Sequence, residues 1–210
     1  MGEDEYRSTT VKFFDRWAKL YDPFVSLLRV GRLRRRAVEI SGAGRGDKVL
    51  DVCTGTAAQA LEFARSSHNV TGVDLSTGML AVAHKKDKND RIRLLRMDAT
   101  RLAFADKQFD VSCISLGLHD MPPEVREEVL REMARVTMGR IVIVDYNPPR
   151  NRLARALYTG LISLYESKYF RDFARSDLHA LLTRCRLKVE REERAWLGFL
   201  RICLCRPEAA

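Results

Sequence analysis

A chain of 210 residues and 24.1 kDa is long enough to bury a full core as one domain without disulfides or a structural metal. Its 46% hydrophobic content is ordinary for a globular protein, and no apolar run approaches the roughly 20 residues of a membrane span. The net charge of +9 admits nucleic acid, an anionic membrane surface or small acidic molecules as partners, but the aromatic residues do not interleave with basic ones as in a stacking platform, so nucleic acid is not expected.

The acidic start Met1-Gly2-Glu3-Asp4-Glu5 lacks the basic and then apolar pattern of an export signal. Five dispersed cysteines, Cys53, Cys113, Cys185, Cys203 and Cys205, have no histidine or further cysteine at zinc spacing. The expectation is a cytoplasmic protein with structural thiols and no metal. From Thr10, a candidate N-cap, Val11, Phe14, Trp17, Ala18 and Tyr21 recur every three or four residues, which predicts an amphipathic helix ended by Asp22-Pro23. Phe24 to Ile40 continues as helix and carries Arg29, Arg32, Arg34, Arg35 and Arg36. This cluster reads either as a solvated face or as a patch for anionic lipid or a substrate phosphate. Residues 1–40 are thus expected to form an N-terminal helical lid or substrate segment and residues 41–210 the main domain, within one globular unit.

Lys48-Val49-Leu50-Asp51-Val52-Cys53-Thr54-Gly55-Thr56-Ala57-Ala58 is a β-branched run that ends in a small-residue turn and becomes helical. It predicts the first strand of a doubly wound α/β sheet with a ligand loop at the strand's carboxyl end. A dinucleotide loop needs three glycines to approach a pyrophosphate, and this loop has Gly55 alone. Asp51, just before the turn, would repel a pyrophosphate but suits a positive amino group and a sulfonium, as in S-adenosylmethionine (SAM). The stretch by itself also fits a strand-turn-helix without a ligand. Asn69 to Asp74 is a second strand, whose terminal carboxylate is placed to accept the hydroxyls of a ribose.

Ala58 to Ser66 reads as a short helix, and Leu75 to Leu80 opens another, where Met79 or Leu80 is positioned to flank an adenine. Strand Ile92 to Arg96 leads to Asp98-Ala99, a carboxylate and a backbone N–H that suit the adenine edge, although such an Asp is also a common turn residue. Phe109 to Leu116 is a central strand with Ser115 at its carboxyl end. His119, followed by Asp120, is a candidate general base near neutral pH or else a helix-entry residue. Pro122-Pro123 starts a helix with Val125, Val129, Met133 and Val136 inward. Met138-Gly139 is expected to form the turn into strand Arg140 to Asp145. Leu153, Leu157, Leu161, Leu164 and Tyr165 form an apolar stripe beside Arg150, Arg152 and Arg155, which fits a pocket lid, a membrane-interface helix or a core helix. Ser176 is the expected cap of helix Asp177 to Cys185, and Lys188 to Trp196 and Phe199 to Cys205 an antiparallel edge pair.

Taken in order, Asp51 to Thr56, Asp74, Asp98-Ala99, and Phe109-Asp110 followed by Ser115 resemble the successive motifs of class I SAM-dependent methyltransferases. Within that superfamily the chain is most similar to the ubiquinone/menaquinone biosynthesis C-methyltransferases, through Phe14-Asp15-Arg16-Trp17-Ala18-Lys19-Leu20-Tyr21-Asp22, Ser115-Leu116-Gly117-Leu118 and Asp145-Tyr146-Asn147-Pro148. The resemblance is weakest over residues 149–174. It implies a seven-stranded Rossmann-like sheet of order 3-2-1-4-5-7-6 with the last strand antiparallel. It also implies SAM as cofactor, held by Asp51, Cys53, Gly55, Thr56, Asp74, Met79, Asp98, Ala99 and Ser115, with Tyr21 near the methyl donor. Quinone methyltransferases usually carry Arg-Asn where this chain has His119-Asp120.

The implied reaction is C-methylation of a demethylquinol-type ring on a small, apolar or lipid-like acceptor, with peripheral contact to an anionic membrane at its inner face. Methylation of a phospholipid headgroup nitrogen or of a soluble metabolite are the alternatives, and a non-catalytic SAM-binding scaffold is the reading from a different class.

Overall fold

In the computed structural model, which describes residues 10–16, 18, 31–67, 69–164 and 166–208, strands alternate with helices from residue 48 to residue 146 except between the third and fourth strands, which a loop joins. Strands β1 (Lys48–Val52), β2 (Asn69–Asp74), β3 (Ile92–Arg96), β4 (Phe109–Ser115) and β5 (Thr137–Tyr146) pair in parallel. β6 (Leu187–Ala195) and β7 (Leu200–Pro207) form an antiparallel pair, with β7 antiparallel to β5. The sheet order is β3-β2-β1-β4-β5-β7-β6, the order that the resemblance implies. Val49, Leu50 and Val52 of β1 and Ile141 to Val144 of β5 are buried on both faces, because crossover helices cover both sides of a parallel sheet.

The described helices are α1 (residues 10–16), α2 (Gly31–Ser41), α3 (Ala58–Phe63), α4 (Thr77–Lys86), α5 (Pro123–Val136), α6 (Arg152–Ile162), α7 (Phe170–Arg175) and α8 (Leu178–Arg184). α2 turns Leu33, Ala37 and Ile40 into the same core as the strands. α5 buries Val125, Val129, Met133 and Val136, the residues its periodicity selects, and starts with Pro123 where no helical N–H is needed. Among the described residues no helix is long and apolar enough to cross a membrane.

Several local expectations change. Thr10 already lies inside α1, and the expected helix from Phe24 is described only from Gly31. Met138-Gly139 is not a turn but part of β5, which follows α5 directly. The register shifts by one residue between Phe109↔Thr137 and Val111↔Arg140. At this bulge a Cβ on Gly139 would stand 2.5 Å from the Asp110 carbonyl oxygen, so only glycine lets the two backbones approach. Asp177, not Ser176, caps α8, accepting from the backbone N–H of His179 and Ala180. Ser176 instead closes α7 through its Oγ donating to the Phe173 carbonyl. Of the three readings of the leucine stripe the core helix is excluded, since Tyr158 and Ile162 are buried in α6 while Leu153, Leu157, Leu161 and the following Leu164 face outward.

None of the five cysteines forms a disulfide. Burial pushes the Cys205 thiol up to about 12 and that of Cys203 higher still, so both remain protonated packing groups.

Gly139→Ala should lower stability by about 1–3 kcal/mol, the usual range for forcing extra volume into a closed contact. Urea denaturation of the variant against the parent protein measures it, and an unchanged midpoint would contradict the tight approach at the bulge.

Candidate active site

The carboxyl edge of the parallel strands carries the site because two strand exits turn sharply there. After β1, Cys53, Gly55 and Ala57 all adopt positive φ, at 54°, 55° and 59°, and after β4 Leu116 does so at 56°. Non-glycine residues in this region are strained, and such strain persists where surrounding bonds fix the turn. Here the Thr54 N–H donates to the Val73 carbonyl and the Leu116 N–H to the Val144 carbonyl. A cavity opens between the two turns.

Three carboxylates reach this cavity from consecutive strand ends. Asp51 is buried and accepts from Thr54 Oγ1 at 2.6 Å. Burial pushes its carboxyl up to about 7, against the pull of that hydrogen bond. Asp74 binds the two neighbouring loops together, accepting from Gly55 N–H at 2.8 Å and Ser76 N–H at 2.9 Å. Burial raises its pKa as well, although both amides oppose the shift. Asp98 accepts from the Thr100 N–H and hydroxyl. Arg34 also lines the cavity, as do the apolar Leu75, Met79, Met97 and Ala99. Carboxylates beside an apolar slot favour a ligand that combines a cation, a sugar diol and a flat base.

α1 covers one side, with Thr10, Val11 and Phe14 in the lining. Its Asp15 is pinned to the start of α4, where Oδ1 accepts from Ser76 Oγ at 2.5 Å and from the Gly78 N–H at 2.7 Å. A carboxylate at a helix N-terminus is favoured by its unsatisfied amides. The approach is close enough that a Cβ on Gly78 would stand 2.8 Å from the Asp15 Cα.

Ser115, Leu116, Gly117, Asp120 and Met121 close the opposite end of the cavity, with Val125 and Val129 of α5 behind them. The 3₁₀ turn Leu118–Asp120 is held from below by Asp145 at the end of β5. Asp145 Oδ2 accepts from the N–H of Leu118 at 3.0 Å and of His119 at 3.3 Å, and its Oδ1 meets His119 Nδ1 at 2.8 Å. His119 Nε2 faces Glu166 at 3.3 Å and Asp120 at 3.4 Å. Burial alone would lower the pKa of this imidazole, but the carboxylates of Asp120, Asp145 and Glu166 outweigh it and hold the pKa well above the ordinary value. Glu166 in turn falls below its usual range, because His119 and the Tyr146 hydroxyl override its burial. Asp120 is raised, chiefly by burial.

Arg126, itself buried, braces the same turn by donating to the Leu118 carbonyl at 2.9 Å, to Asp172 and to the Tyr169 carbonyl. The donor atoms of His119, Asp120 and Glu166 lie within 4.8 Å of one another, the spacing of a cation site. A cation there would have to displace the imidazole proton.

Asp51, Cys53, Gly55, Thr56, Asp74, Met79, Asp98, Ala99 and Ser115 thus all meet at one cavity. His119 does not line it; both ring nitrogens point at carboxylates, which changes the expectation of an available base. Tyr21 lies outside the described residues. Sequence reasoning passed over Asp15, Asp120 and Glu166 as site groups, and Asp145 as the group that holds the turn. Asp145 did carry a signal, since it ends an apolar strand with a carboxylate just as Asp51 and Asp74 do.

A sequence profile describing a methyltransferase domain matches residues 49–139. The demethylmenaquinone methyltransferase of Mycobacterium sp. (strain JLS) is 38% identical over 160 residues, covering 74% of this chain and 67% of the relative. That of Mycobacterium marinum is 39% identical over 150 residues, covering 69% and 62%. Among solved structures, magnesium protoporphyrin IX methyltransferase from Synechocystis PCC 6803 superposes with a TM-score of 0.69 at 17% identity, over 96% of this chain and 99% of that one, a likeness of fold. With the cavity at the carboxyl edge, the relatedness places this chain in the family of SAM-dependent methyltransferases to which the demethylmenaquinone methyltransferases belong.

Proposed function

We propose that the chain methylates a ring carbon of a small apolar acceptor of the demethylquinol type. The observation that carries this reading is the composition of the cavity's far end, where Leu116, Met121, Val125 and Val129 surround one titratable group, Asp120. The name of the relatives, demethylmenaquinone methyltransferase, supports the same acceptor class. An acceptor of that kind is at home in a bilayer, so the reading includes peripheral contact with an anionic membrane at its inner face.

SAM fits the donor set, because Asp51, Asp74 and Asp98 supply negative charge for its amino and sulfonium groups and acceptors for its ribose, beside apolar walls for adenine. When bound it supplies an electrophilic methyl group with a neutral thioether as leaving group. In this reading Asp51 faces the cationic part of the cofactor, Asp74 the ribose hydroxyls, and Asp98 with the Ala99 amide the adenine edge. Met79 flanks the base. Cys53, Gly55 and Thr56 supply backbone and a narrow floor, and Ser115 lies where donor and acceptor meet. Residues 1–40 act as the lid, with α1 as its described part and Tyr21 on the donor side.

Asp120 takes the proton of an acceptor hydroxyl, which raises the nucleophilicity of the ring carbon. A carboxyl whose pKa burial has raised is better matched to that task than an ordinary one. His119 holds Asp120 in place as a buried cation. It is a positioning residue rather than the base.

Incubation with methyl-labelled SAM and a demethylquinol, with Asp51→Ala as control, tests the reaction; label in the ring product that the control lacks is expected. Label only in a phospholipid or a water-soluble product would replace this acceptor, and no turnover despite SAM binding would identify a scaffold. Asp120→Asn should lower kcat by about 100-fold or more with cofactor affinity unchanged. His119→Gln should instead cost about 3–5 kcal/mol of stability in urea, as expected for breaking a buried ion pair, and the His119 imidazole should show the chemical shifts of its protonated form at pH 8.

Asp51 adds a pH dependence. Its folded pKa of about 7 exceeds the unfolded value of about 4, so the protein without cofactor loses stability as pH rises between the two. A cationic cofactor prefers the ionised carboxyl, and SAM affinity should therefore fall about tenfold from pH 8 to pH 6. Titration calorimetry on the parent protein and on Asp51→Asn, in which the dependence should vanish, measures it. Gly78→Ala should push α1 off α4 and weaken SAM binding several-fold with little change in melting temperature, whereas unchanged binding would show that α1 takes no part in retaining the cofactor.

A further inference from the structure

Helix α6 carries apolar residues well beyond its core-facing side. Tyr158 and Ile162 face the core, while Leu153, Leu157, Leu161 and the following Leu164 are 83%, 76%, 58% and 81% exposed. From Ala156 to Tyr165 the sequence carries no charged residue. Large apolar side chains gathered on an exposed helix face mark an interaction surface. The turn between β6 and β7 extends the same surface. Phe199 stacks on Tyr158 with ring centroids 5.5 Å apart and accepts the Tyr158 hydroxyl proton at its carbonyl, and Trp196 packs edge-on against Phe199.

At the tip of that turn Leu197 is 98% exposed. Trp196 and Leu197 are successive non-glycine residues at positive φ, 47° and 58°. That conformation is unfavourable for both, and it presents a leucine that contributes nothing to the core. At Leu197 the strain has no return in packing, which points to a role outside the fold.

The unpaired charge beside this surface is mainly basic, because Glu192 and Glu193, the carboxylates next to Arg194, are engaged by His179 and Arg36. Arg150 and Arg152 are exposed at the start of α6, Arg155 is half-exposed within it, and Arg194 is exposed just before the Trp196 turn. α6 itself has no acidic residue. A two-fold contact between copies of this chain would bring these arginines together with no carboxylate of α6 to pair with them. Apolar side chains rimmed by arginine and tryptophan instead match the boundary between lipid headgroups and acyl chains.

The basic cluster of α2 is a weaker candidate, because three of its four arginines are engaged within the protein or turned into the cavity. Arg36 pairs with Glu39 and Glu193, Arg35 lies 3.6 Å from Glu62, and Arg34 lines the cavity. The α6 surface also sits at the edge of the sheet that holds the cavity. Leu200, just after the turn, pairs with Tyr146 at the end of β5, and Ser115 pairs with Val144 of the same strand.

We propose that α6 and the Trp196–Phe199 turn dock the protein on an anionic phospholipid bilayer, with Leu153, Leu157, Leu161, Leu164 and Leu197 entering the headgroup boundary and the arginines meeting lipid phosphates. This deepens the reading of a membrane-held acceptor, on which it rests for its purpose, by naming the surface that makes the contact.

Flotation of the full chain with phosphatidylcholine vesicles, with and without phosphatidylglycerol, tests it. The parent protein should float with the phosphatidylglycerol vesicles. Leu157→Glu with Leu161→Glu, and separately Leu197→Glu, should each reduce the bound fraction about tenfold or more, with melting temperature and SAM binding retained since these side chains are exposed. A parent protein that stays at the bottom, variants that float like it, or a parent dimer in sedimentation equilibrium that the variants dissolve would each overturn the proposal, the last by assigning the surface to a second copy. Methyl transfer to a tail-less, water-soluble demethylquinol on the same samples keeps the two readings apart. Flotation without any transfer leaves the docking surface in place and removes the acceptor, whereas transfer without flotation does the reverse.

Discussion

A single buried carboxylate fixes one end of the cavity. Asp145 is fully enclosed at the end of a strand of valines and isoleucines, and it accepts from three backbone amides and faces the ring nitrogen of His119. A carboxylate in such a place persists only when hydrogen bonds and a counter-charge compensate its lost hydration. The 3₁₀ turn after β4 supplies both, and is thereby held at one height above the sheet. Arg126 clamps the turn from α5 and carries the constraint to α7 through Asp172 and the Tyr169 carbonyl. Glu166, anchored by Tyr146, closes the ring of charge. The position of Asp120 in the cavity is therefore set by a network that spans β5, α5 and the segment from α6 to α7.

The cofactor side obeys the opposite logic. Burial of Asp51 and Asp74 outweighs the hydrogen bonds they accept and the pull of Arg34 on Asp51, and their raised pKa values record a charge for which the fold alone compensates poorly. Such a site lowers the stability of the empty protein and returns that free energy when a cation arrives. The same strand exits carry backbone strain at Cys53 and Leu116. Strain and desolvation thus coincide at the edge of the sheet that carries the cavity.

Much of this was legible in the sequence, for a definite reason. Apolar strands that stop at Asp51 and Asp74, and the Asp98 just past a third, announce both the strand and its functional end, because a parallel strand buried on both faces tolerates a carboxylate only where it emerges. His119 misled because its chemistry depends on which way a ring points after a turn, and that direction is set by Asp145, 26 residues away. The bulge at Gly139 was hidden because the need for glycine lies in the Asp110 carbonyl on a neighbouring strand. In α6 the leucine stripe leaves a pocket lid, a membrane-interface helix and a core helix open, and Tyr158 and Ile162 are the residues that meet the core. Periodicity identifies two faces; packing decides which one the protein itself uses.

The link between α1 and α4 also limits what the nucleoside can be. Asp15 accepts the Gly78 amide and the Ser76 hydroxyl at the start of α4, so the donors that would greet a phosphate at that helix end are already taken by a carboxylate. Asp74 stands beside it at the tip of β2, adding a second negative charge where a ribose would lie. A sugar bearing a phosphate would meet repulsion from both and gain no amide in exchange. On the proposed reading of Asp74 as the ribose acceptor, a phosphorylated ribose is excluded, and α1 supplies half of the barrier through Asp15.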